Sequence, residues 1–343
     1  MEPETFKLAN GLTPLSLSSK FILPEDKRPL LSQVPSLSSI PIIDMAENEM
    51  VLVKKVSKAC EEFGFFQVVN HGVPEELCRR MMAAIEEFFQ LPPEERARLF
   101  SDDKTRPVRV SNYHLKVEGQ DRVTMWSEHL SHRWHPREDF TAFLPGNPPQ
   151  YREVMAEYAK EIGALTSRVL SLISQGLGLD KSCLEAKMGE NPRRRMQANY
   201  YPPCPDPELT LGLAVHTDIG ALNVLRQSEG VVGLQVIKAG KWVSVSPVPN
   251  AFVINIGDQI QVLSNGRYKS VHHRAVTNED ATRVSLSMFY GPNEDTVIGP
   301  IEDLIDDEHP QMYRCYRFAE MLEEFGRQEG SRRMVKEAFE LKH

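Results

Sequence analysis

Two histidines and an aspartate in the second half of the chain have the residue types and spacing of a metal site. His216 and Asp218 are separated by one residue, and His273 follows further along. On a β-strand, residues i and i+2 point to the same face, so this imidazole and carboxylate can converge on one ion. Two histidines and one carboxylate on one face of an octahedral ion leave three positions open, an arrangement that suits non-haem Fe(II). The pattern predicts an Fe(II) site, with His272 as an alternative to His273 for the third ligand.

A second pair of residues, shortly after His273, has the chemistry to bind a dicarboxylate. Arg283 and Ser285 are also separated by one residue, so on a strand the guanidinium and the hydroxyl share a face. Arginine gives a bidentate, charge-assisted clamp on a carboxylate, and serine adds a further donor. The alternative is a surface strand with an exposed arginine. Next to an open iron site, the pair is interpreted as an anchor for an organic co-substrate.

The elements that position these residues fall into two kinds along the chain. Helical periodicity and its stop signals predict helices over 49–63, 74–89 and 149–178, with short strands at 40–44 and 65–70. From Met196 onward, short β-rich runs alternate with turn signals, which is typical of a double-sheet sandwich or jelly roll. These runs are Ala198–Tyr201, Leu222–Arg226, Leu234–Ile237, Trp242–Val245, Phe252–Ile256, Ser270–Ala275 and Val284–Tyr290, with Ala239-Gly240 as a hairpin turn.

The order of these elements predicts an α+β protein with four regions. Residues 1–39 are interpreted as an extended arm that lies over the body, and 40–190 as a helical N-terminal region. Residues 191–300 form the predicted jelly-roll domain. Residues 301–343 are expected to return to helix, over Gln311–Phe325 and Ser331–Leu341.

Composition and charge exclude several classes of function. The net charge is −8, from 48 acidic and 40 basic residues, and such a surface would repel a phosphate backbone, so no nucleic-acid partner is expected. Five cysteines without a CxxC pair argue against a disulfide framework or a cysteine-zinc site. No apolar run is long enough to span a membrane, and the N-terminus lacks the pattern of a secretory signal. We expect a cytoplasmic protein, monomeric, with a small-molecule partner.

The motifs of the chain, taken in order, strongly resemble the plant 2-oxoglutarate- and Fe(II)-dependent dioxygenases over roughly residues 20 to 325. The resemblance implies a distorted double-stranded β-helix, or jelly roll, packed on the helical region. It also implies Fe(II) as the metal, 2-oxoglutarate and O2 as co-substrates, and stimulation by ascorbate. The motifs that carry it are Pro41–Asp44, Gly64–Gly72, Leu91-Pro92, Asn199–Pro205, His216-Thr-Asp218, Asn255–Asp258, His273–Val276 and Arg283-Val-Ser285.

The same resemblance implies roles for individual residues. It selects His273 over His272 as the third ligand, because the family's ligand precedes Arg-Ala-Val. It adds Asn199 and Tyr201 to Arg283 and Ser285 around 2-oxoglutarate. Matching positions suggest a set of substrate-facing residues, for which core packing is the alternative: Tyr113, His129, Ser131, Gln197 and Phe289.

Within the family, the chain resembles the branch with flavone synthase I, salicylate hydroxylases of the downy-mildew-resistance type and hyoscyamine 6-hydroxylase. The stretches Leu23–Pro29 and Phe252–Ile260 carry that likeness. We expect oxidation of a small aromatic metabolite, first a flavanone, because Phe289 offers a stacking face and Gln197 and His129 offer neutral hydrogen bonds. Relatives that act on flavonoids have a lysine and an acidic residue at the positions of Gln197 and Gly291. The substrate contacts of anthocyanidin synthase are therefore not assigned directly to this chain.

Three alternatives to a flavanone oxygenase are kept. A salicylate or alkaloid hydroxylase shares the chemistry, but salicylate calls for a cation, and none stands at positions 129, 131, 197, 289 or 291. Cations in the 104–125 segment could supply it: Lys104, Arg106, Arg109, Lys116 and Arg122. A catalytically silent small-molecule sensor would need an incomplete metal or co-substrate set, and both sets are complete. A zinc hydrolase would leave Arg283 and Ser285 unexplained.

Overall fold

A computed structural model of the chain describes Leu8 and residues 18–34, 40–103, 105–117, 122–328 and 335–342. Most of the predicted arm at 1–39, Lys104 and the start of the predicted helix at Ser331–Leu341 therefore lie outside the described residues. The helices are α1 Glu49–Glu62, α2 Glu75–Gln90, α3 Pro93–Ala97, α4 Tyr151–Gly176, α5 Cys183–Ala186, α6 Asp258–Leu263 and α7 Phe318–Arg327.

The strands begin early in the chain and run through most of it. In the first half they are β1 Ile42–Asp44, β2 Phe65–Val69, β3 Val108–Ser111, β4 His114–Leu115, β5 Val123–Thr124 and β6 Glu128–Arg133. In the second half they are β7 Arg193–Tyr201, β8 Leu213–His216, β9 Leu222–Gln227, β10 Leu234–Lys238, β11 Lys241–Ser244, β12 Phe252–Ile256, β13 His273–Ala275, β14 Arg283–Gly291, β15 Val297–Ile298 and β16 Tyr316–Arg317.

Two sheets form the core of the fold and confirm the predicted α+β jelly roll. The large sheet has eight strands in the order β1-β2-β12-β9-β14-β7-β6-β3, and the small sheet has four in the order β11-β10-β13-β8. Most pairs are antiparallel, and the β10–β11 hairpin turns at Ala239 and Gly240, which both have positive φ. Among the strands named above, β1 and β2 form the parallel pair.

The large sheet has one apolar and one polar face, because alternate residues of a strand point to opposite sides. Apolar side chains such as Val110, Leu130, Ala198, Leu286 and Val224 are fully buried in the main core, to which α1, α2 and α4 also contribute. Each residue between them on these strands points to the other side. That side, named here the pocket face, carries most of the residues that could do chemistry.

Two strands of the large sheet, β3 and β6, were not predicted from the sequence. They place the region 40–190 within the same sheet as β7, β9, β12 and β14, so this region is more than a helical support. In β6 the polar residues Glu128, His129, Ser131 and His132 are almost fully buried. A strand that is buried on both faces need not alternate polar and apolar residues, so the pattern that predicts a strand is absent.

The predicted helix at Gln311–Phe325 is wrong over its first seven residues. Helix α7 begins at Phe318, and the preceding segment is extended and includes β16. Met312 N donates to Asn265 Oδ1 (2.8 Å), and Arg314 N donates to the Phe339 carbonyl (3.0 Å). These backbone groups are thus satisfied by distant partners instead of by a helix. The final predicted helix is a 3-10 helix at Val335–Phe339 over its described part.

The described part of the N-terminal arm lies against the small sheet and its loops. Leu23 N donates to the Leu209 carbonyl (2.9 Å), and Arg274 Nη2 donates to the Pro29 carbonyl (2.7 Å). Among the described residues, no helix combines the length and apolar character needed to cross a membrane.

Candidate active site

Three predicted ligands meet where the small sheet faces the pocket face of the large one. His216 ends β8 and pairs in register with His273 on β13, while Asp218 lies two residues beyond the strand end. Their ligand atoms all lie within 4.8 Å of one another, with Asp218 Oδ1 3.6 Å from His216 Nε2 and 3.7 Å from His273 Nε2. His216, Asp218 and His273 are called the metal triad below. His272 lies outside it, and Asp218 reaches it from a loop, not from the strand expected.

Both histidines of the metal triad are oriented by backbone carbonyls. His216 Nδ1 lies 2.8 Å from the Ala214 carbonyl, and His273 Nδ1 lies 3.3 Å from the Val271 carbonyl. A carbonyl can only accept, so each Nδ1 carries the proton and each Nε2 keeps its lone pair. Phe65 packs edge-on against the His273 ring, with ring centroids 5.1 Å apart. The two lone pairs are therefore directed before any ion arrives.

Asp218 is held through one oxygen and left open through the other. Asn255 on β12 and Asn223 on β9 both donate to Asp218 Oδ2, the latter over 3.3 Å. Oδ1 faces the two histidines. Sequence reasoning gave neither asparagine a role, although Asn255 stands within a family motif. Amide donors on one carboxylate oxygen fix the direction in which the other can ligate a metal.

The donor set fits a divalent ion that also binds an organic co-substrate. Burial raises the pKa of the Asp218 carboxyl, against the opposing effect of His216. Burial also lowers the pKa of His273 well below its usual range, which keeps that imidazole neutral, as a metal ligand must be. A cation at the centre would compensate the buried carboxylate. Two imidazoles and one carboxylate, without cysteine, suit Fe(II) with open positions.

A second cluster lies on the pocket face where β14 pairs with β7. Arg283 pairs with Tyr201 and Ser285 with Asn199, and these four residues are called the co-substrate clamp. The Arg283 guanidinium lies 5.1 Å from the Tyr201 ring centroid, and its Nη2 donates to Gln227 Oε1 (2.9 Å). Its Nε is buried without a hydrogen-bond partner among the described residues. A buried donor without a partner is rare and costly, so it marks a place for a ligand acceptor.

Two glycines keep the space around the clamp open. A Cβ on Gly233 would stand 2.4 Å from Arg283 Cδ, and one on Gly212 would stand 2.4 Å from Tyr201 Cδ1. Any larger residue at either position would displace the clamp side chain next to it. The side chains of Arg283 and Tyr201 can occupy their positions because Gly233 and Gly212 have no Cβ.

The five predicted substrate-facing residues lie together on the pocket face. Register places His129 opposite Asn199, Ser131 opposite Gln197 and Phe289 beside Asn223. Gln197 Nε2 donates to the Tyr113 hydroxyl, and the Tyr113 and His129 rings stack with centroids 4.2 Å apart. These five residues are called the wall below.

His129 is a wall residue with one ring nitrogen available to bind a ligand. Its Nε2 lies 2.9 Å from Ser111 Oγ, and its Nδ1 is buried without a partner among the described residues. Burial, together with the charges of Arg109 and Arg195, lowers the pKa of His129 well below its usual range. The imidazole is therefore neutral near pH 7 and can hydrogen-bond a phenolic hydroxyl.

The pocket face carries two cations outside positions 129, 131, 197, 289 and 291: Arg109, which lies in the 104–125 segment, and Arg195, which the sequence reasoning did not include. Arg195 on β7 pairs with Phe289 on one side and Arg133 on the other, and Arg109 on β3 pairs with Ser131. Arg195 was missed because it stands in the run Arg193–Arg195, which looks like a solvated basic block. Its place two residues before Gln197 is the signal that could have revealed it, because that spacing puts both side chains on one face.

Comparison with known proteins agrees with this geometry. The profile of the 2OG-Fe(II) oxygenase superfamily matches residues 192–292, and that of the non-haem dioxygenase in morphine synthesis N-terminal region matches residues 40–152. The chain is 42% identical to flavanone 3-dioxygenase 2 of Oryza sativa subsp. japonica over 312 residues, 90% of each protein. It is 40% identical to protein DOWNY MILDEW RESISTANCE 6 of Arabidopsis thaliana over 323 residues, 93% of this chain and 94% of the relative.

A solved structure shares nearly the whole fold. The crystal structure of JOX2 in complex with 2OG, Fe and JA superposes with a TM-score of 0.85 and 36% sequence identity, and covers 95% of this chain and 94% of JOX2. Fe(II) and 2-oxoglutarate are the cofactor and co-substrate of this group, and the buried metal triad matches that requirement. The chain therefore belongs to the 2OG-Fe(II) oxygenase superfamily and is an oxygenase that acts on small plant metabolites.

Proposed function

We propose that the chain oxidises a small aromatic plant metabolite at a C–H bond presented to the metal triad. The observation that carries the proposal is that three sets of residues meet at the pocket face of the large sheet. The small sheet and the loop after β8 carry the metal triad. The co-substrate clamp, His129 and Phe289 lie on the pocket face, and the Tyr113 ring stacks on His129. Bound Fe(II), with 2-oxoglutarate and O2, supplies the oxidising power for hydrogen removal from such a bond.

Each group of residues has a distinct task in this reaction. The metal triad would hold the ion through two Nε2 atoms and Asp218 Oδ1, a donor set that suits an ion which also binds a co-substrate. Arg283 and Ser285 hold the distal carboxylate of 2-oxoglutarate, with Tyr201 and Asn199 beside them. The aromatic wall excludes water and fixes which C–H bond faces the metal, so the wall decides between hydroxylation and desaturation.

A flavanone is the first candidate substrate. Phe289 provides a ring face for stacking, and Gln197 and the neutral His129 provide hydrogen bonds that suit phenolic hydroxyls. Flavanone 3-dioxygenase 2 is among the similar proteins, as are flavonol synthase/flavanone 3-hydroxylases at 36–38% identity. On this view, the C2–C3 bond of the flavanone is the site of oxidation.

An aromatic acid such as salicylate is the second candidate, and one observation favours it: Arg109 and Arg195 both belong to the pocket face. An alkaloid hydroxylase remains an alternative, since hyoscyamine 6-dioxygenase of Hyoscyamus niger is 36% identical over 315 residues. No described feature of the pocket supplies the carboxylate that a cationic alkaloid would prefer. The complete triad and clamp argue against a catalytically silent sensor.

The decisive experiment is mass spectrometry of products formed from naringenin and from salicylate, under identical Fe(II), 2-oxoglutarate, ascorbate and O2 conditions. Hydroxylated or desaturated naringenin is expected, together with an equal amount of succinate. Omission of 2-oxoglutarate is the control and should abolish the product. Turnover of salicylate with none of naringenin would refute the flavanone assignment, and turnover of no aromatic compound would refute the proposed function.

A further inference from the structure

The longest basic run of the sequence, Arg193–Arg195, is divided by the fold into three different environments. Arg193 lies near Glu294, with 3.7 Å between Nη1 and Oε1. Arg194 points to the opposite side of β7, with its guanidinium 5.5 Å from the Tyr290 ring centroid. Arg195 lies two residues beyond Arg193 along β7 on the pocket face, between Phe289 and β6. The run Arg193–Arg195 looks like a solvated basic patch in the sequence, yet it places Arg195 beside the wall residues.

Arg195 and Arg109 both lie next to Ser131. Arg195 Nε donates to Ser131 Oγ (2.6 Å), and Arg109 pairs directly with Ser131 across β3 and β6. Arg109 Nη1 donates to Ser111 Oγ (3.1 Å), and its Nε is buried without a partner among the described residues. Two guanidinium groups thus have hydroxyl oxygens as partners at this end of the pocket.

Neither arginine forms an ion pair with a carboxylate in the described part of the chain. Asp102 and Asp103 act on Arg109 electrostatically, but both are exposed. Asp103 Oδ1 already accepts hydrogen bonds from Thr105 N (2.9 Å) and Thr105 Oγ1 (2.7 Å). Burial lowers the pKa of Arg195 to about 10, so the group remains charged at neutral pH. Partly buried like charges next to each other repel, and an anion between them removes that cost.

The position of this cation pair fits one end of a small substrate. Asn223, which holds Asp218, is in register with Phe289, and Phe289 is in register with Arg195. With neighbouring strands ~4.8 Å apart, the backbones of Asn223 and Arg195 are roughly 10 Å apart. An aromatic ring over Phe289 spans much of that distance. The co-substrate clamp is a separate feature, because Arg283 is paired with Tyr201 near the other end of β7.

We propose that Arg195 and Arg109 form an anion subsite at one end of the substrate pocket, which takes the carboxylate of an aromatic acid. The inference rests on the proposed function and deepens it, since it names the substrate class of the same pocket. Arginine suits this task because its planar fork binds both oxygens of a carboxylate. The oxidised C–H bond lies at the end of the molecule opposite the carboxylate.

The test compares acids with their neutral amides, so that only the charge changes. Binding of benzoate, salicylate and trans-cinnamate, and of the matching amides, is measured by calorimetry on the anaerobic enzyme loaded with Fe(II) and 2-oxoglutarate. We expect at least one acid to bind the wild-type protein tenfold or more tightly than its amide. In Arg195→Gln or Arg109→Gln, we expect that preference to fall roughly tenfold to a hundredfold, as for the loss of a charge-assisted hydrogen bond.

Arg194→Gln is the matched control, because it removes the same charge from the same strand on the opposite face. It should leave the preference unchanged, and melting temperatures verify that the variants fold. Acids that bind the wild-type protein no better than their amides would overturn the inference without any variant. Equal losses in Arg194→Gln and Arg195→Gln would do so too. Naringenin binding that depends on Arg195 would show that a phenolate is held instead, and would overturn the carboxylate assignment.

Turnover separates this inference from the proposed function. If an acid binds through Arg195 but no aromatic compound is oxidised with 2-oxoglutarate, the proposed function fails and the subsite stands. If naringenin is oxidised and no acid is preferred over its amide, the subsite fails and the oxygenase assignment stands.

Discussion

Replacing Arg283 by lysine tests the co-substrate clamp with the smallest change in charge. In the structure the guanidinium is almost fully buried, donates to Gln227 Oε1 through Nη2, and holds Nε without a described partner. Lysine keeps the positive charge but loses the planar fork and the Nε donor. A lost hydrogen bond to a charged group costs about 1.5–3 kcal/mol. At about 1.36 kcal/mol per decade, the KM for 2-oxoglutarate should rise roughly tenfold to a hundredfold.

The assay is steady-state succinate formation with 2-oxoglutarate and the organic substrate varied in turn. The KM for the organic substrate should change far less, because Arg283 is not part of the aromatic wall. Arg226→Lys is the matched control: Arg226 is buried on β9 of the same sheet, and its in-register partner Leu286 packs into the apolar core. It should reduce stability and leave both constants near their wild-type values. An unchanged KM for 2-oxoglutarate in Arg283→Lys, or equal rises in both constants, would remove Arg283 from the co-substrate site.

Three further predictions concern the metal triad, its support and the stability of the fold. Alanine at any one of the three triad positions should abolish turnover and bound iron without unfolding the protein, whereas His272→Ala should keep most activity. Iron analysis of the purified variants checks this. Iron that is kept in His273→Ala and lost in His272→Ala would contradict the ligand assignment. Asn255→Ala removes a donor to Asp218 Oδ2 and should weaken Fe(II) affinity about tenfold to a hundredfold, measured by metal titration, and an unchanged affinity would show that Asn255 does not orient the ligand. Burial lowers the pKa of His132 to about 4, below its usual value in an unfolded chain, so its contribution to stability is complete above about pH 6.5 and is lost as the pH falls toward 4. His132→Gln should therefore make the free energy of unfolding less steep over that range, by up to about 1.4 kcal/mol per pH unit, in denaturant titrations at several pH values; equal slopes would contradict this.

The reactive residues could be predicted from the sequence because they come as short pairs with chemical meaning. His216 with Asp218 and Arg283 with Ser285 are separated by one residue, and the structure places each pair together. Choosing His273 over His272 needed the family resemblance. Strand periodicity alone cannot decide it, because adjacent strand residues face opposite ways and nothing local states which face is the inner one.

What the sequence hid depends on contacts between distant segments. Asn223 and Asn255 support Asp218 only because β9 and β12 pair beside it. Arg195 joins the pocket only because β7 lies between β14 and β6. The unpredicted strand β6 has polar residues on both of its faces, and both faces of the strand are buried. Such burial is decided by tertiary packing, so local patterns of polarity carry no signal for it.

The pairing of β2 with β12 also constrains how the protein is made. β2 leaves the ribosome long before β12, yet Phe65 on β2 is the register partner of Asn255. Until β12 is synthesised, one edge of the apolar strand Phe65–Val69 has no partner within the large sheet, a state that favours misassembly and contact with chaperones. Phe65 packs against the His273 ring, and Asn255 holds the Asp218 carboxylate. The metal triad therefore has its full support only after the two halves of the chain have met. We therefore expect iron to be loaded only after β13, which carries His273, has been synthesised.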